Sequence, residues 1–308
     1  MQVVILERNK LVARKVARLF MATGAQAAMV EDPSELGAAL GGADVVCADT
    51  FDGDVVVEHI RARPGLRGLL WTAEPLRRSL RYLVETPAID HVLGRRDFES
   101  TPRPWELAMV ARRLQGVAAP PLAAYLDWGF ASVELDVRTT ADRDVASAQI
   151  QDFVGALAVP KRIGEMFAEL GHELIMNAMY DAPVDAFGKP KYAFDRRAQI
   201  TLADHERPSV RIATDGTRLA LQVRDPFGRL ERRHVFDGLA RGLAGGPEQM
   251  DQSHGGAGLG MMVCHNASSA MFFDVVPHRH TEVTALFELD MNLREFRTQA
   301  KSLHFWRA

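Results

Sequence analysis

The sequence predicts an α/β protein of two domains, and three observations carry that expectation. Short apolar runs alternate with helical patterns through the first 115 residues, the mark of a parallel sheet with helices on both faces. Gly116-Val-Ala-Ala-Pro-Pro121 then breaks the pattern, because neither Pro120 nor Pro121 can continue a helix. After the break, two helical segments lead into alternating runs expected to pair as a mostly antiparallel sheet. The expected boundaries are 1–115 for a doubly wound, five-stranded first domain, 116–131 for a linker, 132–290 for the second domain and 291–308 for a tail.

The first domain follows from its periodicities. Val3 to Leu6 reads as a buried strand, Leu11 to Ala22 as a helix, and Ala27 to Val30 as a second strand. A helix is expected from Ser34 to Leu40 after the Asp-Pro-Ser start, and a strand from Asp44 to Ala48. Leu69 to Trp71 and His91 to Leu93 give two more short strands, and Trp105 to Leu114 a closing helix. In the linker, Tyr125, Trp128 and Phe130 are read as interdomain packing.

In the second domain, Ser132 to Val137 alternates as a strand, Asp142 to Leu157 reads as a helix, and Pro160 starts another. Ile163, Met166, Phe167, Leu170 and Leu174 form that helix's core stripe. Glu173 and Asn177, four residues apart, then fall together on a neighbouring, accessible face. A solvated polar face is the plainer explanation of the same pattern. Ile200 to Leu202, Val210 to Ala213 and Leu219 to Val223 suggest successive strands, with Asp215-Gly216 as a hairpin turn. Met271 to Val276 and Glu282 to Leu289 would complete the sheet, and the glycine-rich stretch from Glu231 to His254 has the composition of a lid. Arg294, Arg297, Lys301, Leu303, Phe305 and Trp306 give the tail a basic, aromatic character suited to docking on a partner or on the first domain.

Three motifs in this second domain suggest chemistry. Gly171-His-Glu-Leu-Ile-Met-Asn-Ala-Met-Tyr-Asp181 presents an acid and an amide on one helix, and Leu219-Ala-Leu-Gln-Val-Arg-Asp-Pro-Phe-Gly228 is a strand ending in an acidic turn. Gly255-Gly-Ala-Gly-Leu-Gly260 can turn backbone N–H groups toward phosphates as it enters a helix. In this order they resemble the ATP-binding domain shared by gyrase, histidine kinases and the anti-sigma serine kinases, the GHKL type, an α/β sandwich. That resemblance covers about residues 132 to 290. It implies ATP and Mg²⁺ as cofactors: Asn177 supplies an oxygen to the metal, Glu173 acts as general base, and Asp181 flanks them. Asp225 accepts the adenine amino group beside Gly228, while Gly255, Gly256, Gly258, Leu259 and Gly260 wrap the phosphates. One departure is Asp225-Pro-Phe-Gly-Arg229, where the family usually carries Asp-x-Gly-x-Gly, so the turn must differ. His172 lies about 100° around the helix from Glu173 and reads as a local tuning residue.

In the first domain, function is expected at the carboxyl ends of the strands, where Asp49 and Thr72 fall. Here the chain resembles the receiver domain of response regulators over about 115 residues. The resemblance puts Asp49 at the phospho-acceptor position, Thr72 at the switch hydroxyl and Arg95 where receivers carry lysine. Receivers carry two acids after the first strand, and this chain has Glu7-Arg8, whose cation could occupy the Mg²⁺ position by pairing with Asp49. Two readings follow, a pseudo-receiver that works by docking and a domain phosphorylated at Asp49, with Asp49 paired to Arg8 or Arg95 in the first.

Composition bounds the rest. With 308 residues, 47% hydrophobic, 25% charged and a net charge of −3, the chain has room for two cores and lacks the basic footprint of a nucleic-acid binder. Its two cysteines are too few for a disulfide framework or a zinc site. Met1-Gln-Val-Val-Ile-Leu-Glu7 runs directly into a strand pattern, so a cytoplasmic protein with no membrane contact is expected. The resemblances imply an ATP-dependent protein kinase of the anti-sigma or histidine kinase type, gated by the receiver-like domain. The alternatives are an ATP-dependent switch or scaffold in a two-component pathway without phosphoryl transfer, and a histidine kinase acting in trans. The implied partner is a protein of the sigma-factor antagonist, kinase or response regulator type, and a homodimer is expected by resemblance.

Overall fold

The computed structural model describes residues 1–244 and 257–308. The chain divides into two compact units, Met1–Ala119 with Arg294–His304, and Pro120–Leu293 with Phe305–Ala308.

In the first unit the strands β1 (Gln2–Leu6), β2 (Gln26–Val30), β3 (Val45–Asp49), β4 (Arg67–Thr72) and β5 (Ile89–Gly94) pair in parallel in the order β2-β1-β3-β4-β5. That is one of the two common doubly wound orders. The intervening helices are α1 (Lys10–Ala22), α2 (Leu36–Ala39), α3 (Gly53–Ala62), α4 (Leu76–Glu85) and α5 (Pro104–Leu114). β3 is buried at every position, as a strand covered on both faces must be. Asn9 starts α1 by accepting the Leu11 and Val12 N–H groups. The helix expected from Ser34 to Leu40 is shorter than expected: a 3₁₀ turn at Pro33–Glu35, stapled by Asp32, leaves a single α turn. Gly37, Gly41 and Gly42 give too little helical propensity to extend it.

The second unit begins earlier than the expected boundary, with a 3₁₀ turn at Leu122–Tyr125. Tyr125 is fully buried edge-on to Phe272 at 4.9 Å between ring centroids, but Trp128 is fully exposed and Phe130 also faces solvent, so only one linker aromatic packs. β6 (Ala131–Leu135) leads to α6 (Thr140–Gly155), which starts with a capping box between Thr139 and Asp142. α7 (Lys161–Met176) follows, and after it come β7 (Ser209–Thr214), β8 (Arg218–Asp225), α8 (Arg232–Ala244), α9 (Ala257–Asn266), β9 (Ala270–Val276) and β10 (His280–Glu288). The five strands pair antiparallel in the order β9-β10-β8-β7-β6. α7 wedges between α6 and the sheet at Gly171, where any Cβ would collide with Ile150 and press on Leu221.

Two expectations in this unit are corrected. Ile200 to Leu202 does not form a strand; it makes only an isolated bridge, Thr139 to Thr201, because its N–H groups bond to the Thr140 hydroxyl and the Arg138 carbonyl. The first half of the expected lid is α8, anchored through buried Val235, Phe236 and Leu239, and residues 245–254 lie outside the described residues.

The expected tail is folded. α10 (Leu293–Thr298) buries Phe296, and β11 (Ser302–Arg307) pairs Leu303 and His304 antiparallel to Val92 and His91 of β5. Gly94 N–H donates to Ser302 Oγ at 2.8 Å, and His304 Nε2 meets Glu106 Oε1 at 2.8 Å with both side chains fully buried. Burial alone would raise the Glu106 pKa, but the His304 bond and the Arg103 charge outweigh it and hold the carboxyl below its ordinary value. The tail comes so close to β5 that a Cβ at Gly94 would collide with the Ala300 carbonyl. Gly94→Ala is therefore expected to destabilise the first unit by about 1–3 kcal/mol, read as a lower midpoint in urea.

Candidate functional site

The second unit holds a cavity of about 260 Å³ whose wall includes Asn177, Asp181, Asp225, His234, Met261 and Thr281. Its left-hand frame is the end of α7. There the helix widens into a π turn over Asn177–Asp181, closed by Ala182 N–H bonding to the Asn177 carbonyl five residues back at 3.0 Å. The turn sets Asn177, Ala178, Asp181 and Ala182 along one wall.

A second part of the frame is the end of β8. Asp225 accepts the Phe227 N–H at 2.8 Å and the Gly228 N–H at 3.3 Å, so the carboxylate organises its own turn. Pro226 has no N–H to lose, and the turn's single positive φ falls on Gly228, at 66°. A side chain there would also collide with the Val276 carbonyl. The Asp-Pro-Phe-Gly sequence thus closes a tight turn without asking Phe227 for a left-handed conformation. Burial pushes the Asp225 pKa up, against the Phe227 N–H bond, and the carboxylate faces the cavity beside Val223 and Met261. A buried acceptor among apolar groups suits one hydrogen-bond donor on a flat ligand. Thr281, in register with Asp225 across the β8–β10 pair, lines the same wall. It went unrecognised in the sequence because only strand register brings it there.

Glu173 sits one turn before Asn177, half-buried, and the cavity wall does not include it. Its carboxylate packs against the backbone of α9 at Gly260, where any Cβ would collide with Oε2. Leu259 is exposed, Gly258 lies within α9, and Gly255 and Gly256 fall outside the described residues.

The Asn177 oxygen that the resemblance assigns to Mg²⁺, and the flanking Asp181, are engaged by a residue not singled out above. Arg196 donates from Nη2 to Asn177 Oδ1 at 3.1 Å and from Nε to Asp181 Oδ1 at 3.2 Å, and closes the fork with Nη2 on Asp181 Oδ2. Burial pushes the Asp181 pKa up and the Arg196 charge opposes it. Mg²⁺ requires oxygen ligands in near-octahedral array, and here the assigned Asn177 oxygen, like the neighbouring Asp181 carboxylate, already accepts from a guanidinium. Among the described residues, no group of three His, Cys, Asp or Glu side chains is placed to hold a metal ion. The residues present do not fit the expected metal.

The first unit repeats this arrangement at the strand ends. Arg95 Nη2 lies 2.7 Å from Asp49 Oδ2 and its Nη1 lies 3.1 Å from Glu7 Oε2, with all three side chains buried. Trp71 Nε1 donates to the same Glu7 oxygen at 3.2 Å. Burial pushes the Asp49 pKa up, against the Phe51 N–H bond and the Arg95 charge. Arg8, considered above as the partner of Asp49, instead turns outward and pairs with Asp52 at 2.6 Å. Thr72 Oγ1 accepts from Thr50 Oγ1 at 3.0 Å and from the Glu74 N–H at 3.0 Å, which ties down the expected switch hydroxyl.

No family model matches the sequence, and no curated protein matches it. Among solved structures, the chain is similar to a response regulator receiver domain protein from Clostridium thermocellum, with 11% identity and a TM-score of 0.32, over 37% of this chain and 94% of that one. It is also similar to a response regulator receiver protein from Burkholderia phymatum, with 19% identity and a TM-score of 0.31, over 39% of this chain and 98% of that one. Among the described residues, no helix is long and apolar enough to cross a membrane.

Arg95→Ala would leave Asp49 and Glu7 facing each other without their cation. The expected cost is about 3–5 kcal/mol of stability in the first unit, measured by chemical denaturation, because buried charges that lose a partner are not resolvated.

Proposed function

We propose that the second unit is an ATP-binding module of the GHKL type, and that the chain is a signal-transduction protein in which nucleotide occupancy controls contact with a protein partner. The observation that carries this reading is Asp225, a buried carboxylate held by its own turn on the wall of a largely apolar cavity that Asn177 and Asp181 also line. A ligand whose exocyclic amine meets Asp225 would lie between Val223 and Met261, with its remaining length directed along the π turn.

Of the activities considered above, the geometry favours the partner-binding switch over either form of phosphoryl transfer. Protein kinases depend on positioned cations around the transferred group, whereas Asn177 and Asp181 are committed to Arg196 and Glu173 lies off the cavity wall. The kinase reading retains one supporting feature. Glu173, on α7, stands one helical turn before Asn177 and is half-buried rather than enclosed.

The receiver-like unit completes the proposal as a pseudo-receiver. Acceptance of phosphate at Asp49 would require loss of the Arg95 pair and admission of a metal between Asp49 and Glu7, where the guanidinium lies. A docking role needs neither step.

Calorimetric titration with a non-hydrolysable ATP analogue tests the nucleotide site. The expected result is binding to the wild type and a loss of about tenfold or more in Asp225→Asn, since an amide would turn a donor toward the ligand amine. Equal affinity in the two proteins would remove Asp225 from the site. Incubation with a small acyl phosphate tests the other unit: no phosphate incorporation is expected, and incorporation abolished by Asp49→Ala would restore the phosphorylation reading.

A further inference from the structure

Arg196 is not a stray surface side chain. Its loop is pinned by the π turn that it touches: the fully buried Tyr180 donates its hydroxyl to the Ala198 carbonyl at 2.8 Å. The loop is also closed on itself by Asp195 N–H to the Tyr192 carbonyl at 3.1 Å and by Arg197 N–H to Asp195 Oδ1 at 3.0 Å. Three residues of one turn therefore act together, with Tyr180 holding the loop while Asn177 and Asp181 receive its arginine. The Arg196 side chain is only 16% exposed, and no hydrogen bond of its Nη1 is formed among the described residues.

Charge decides what this means for a ligand. A divalent ion at Asn177 and Asp181 would have to expel a guanidinium from a bidentate carboxylate pair on a loop that is itself anchored. Arg196 is not itself part of the cavity wall, but it is bonded to two residues that are, so a polyphosphate running along Asn177 and Asp181 would meet a planar cation whose remaining donors match phosphate oxygens.

We infer that Arg196 is the built-in cation of this site, so that the nucleotide binds through arginine and without a divalent metal. This rests on the nucleotide-site reading given above. Asn177 and Asp181 are then positioning residues: they aim the guanidinium, and they touch no metal.

The test uses the full chain, with the ATP analogue titrated calorimetrically in EDTA and in excess Mg²⁺, beside Arg196→Ala and Arg196→Lys. Wild-type affinity is expected to differ by less than about threefold between the two buffers. Arg196→Ala should lose about tenfold or more in EDTA and recover in Mg²⁺, and Arg196→Lys should retain part of the metal-independent binding. A second readout needs no nucleotide. Mn²⁺ followed by electron paramagnetic resonance should remain free with the wild type, whereas Arg196→Ala should gain a bound ion that is lost again on adding Asn177→Ala.

Analogue bound by the wild type only in Mg²⁺, or bound more tightly by Arg196→Ala than by the wild type, would make Arg196 an inhibitory latch and overturn the inference alone. Mn²⁺ bound by the wild type and lost in Asn177→Ala would overturn it in the same way. No binding in either buffer would overturn the nucleotide reading itself, and this inference with it.

Discussion

In both units of this protein an acid at the end of a strand or helix is answered by an arginine from the chain itself. In the first unit Arg95 bridges Asp49 and Glu7 at the carboxyl ends of parallel strands. In the second, Arg196 bridges Asn177 and Asp181 at the end of a helix. A guanidinium supplies a single positive charge with fixed geometry, and it cannot be removed by a chelator or by changes in metal concentration. In the first unit it also cannot be shed easily, because the departure of Arg95 would strand buried negative charge.

The surroundings of these pairs are built by close approaches. Gly94 lets the C-terminal strand lie against β5, Gly171 lets α7 settle between α6 and β8, and Gly260 admits the Glu173 carboxylate to the backbone of α9. Gly228 combines a close approach with a positive φ and so fixes the turn that presents Asp225. Together these contacts leave little freedom in where each acid sits. They explain how a turn that lacks the usual glycine pattern still holds its aspartate in the cavity wall.

Much of the architecture was legible in the sequence. Val3 to Leu6, Val45 to Ala48 and Leu69 to Trp71 are continuous apolar runs too short for buried helices, and each is a strand covered on both faces. The Asp215-Gly216 turn and the strands on either side of it also follow from local chemistry, with φ at Gly216 reaching 87°. Ile200 to Leu202 misled because its apolar pattern serves packing, while its backbone groups bond to Arg138 and Thr140 rather than to a strand. Trp128 misled for the opposite reason, since composition alone does not say which aromatic of a connector turns inward.

The sequence by itself determined the alternation of strands and helices, the break at Pro120 and Pro121, and the acids that close the strands and the long helix, because these depend on contacts within a turn or two. Which cation answers each acid was decided only by the tertiary structure. Arg8 was the nearest candidate in sequence to the acidic cluster and pairs with Asp52, while Arg95, 46 residues beyond Asp49 in the numbering, fills the cluster. Arg196 reaches Asn177 and Asp181 across a loop whose course is set by Tyr180, and Thr281 meets Asp225 through strand register alone. Long charged side chains and strand pairings join residues by distance in space, and spacing along a chain carries no measure of that distance once the chain has turned.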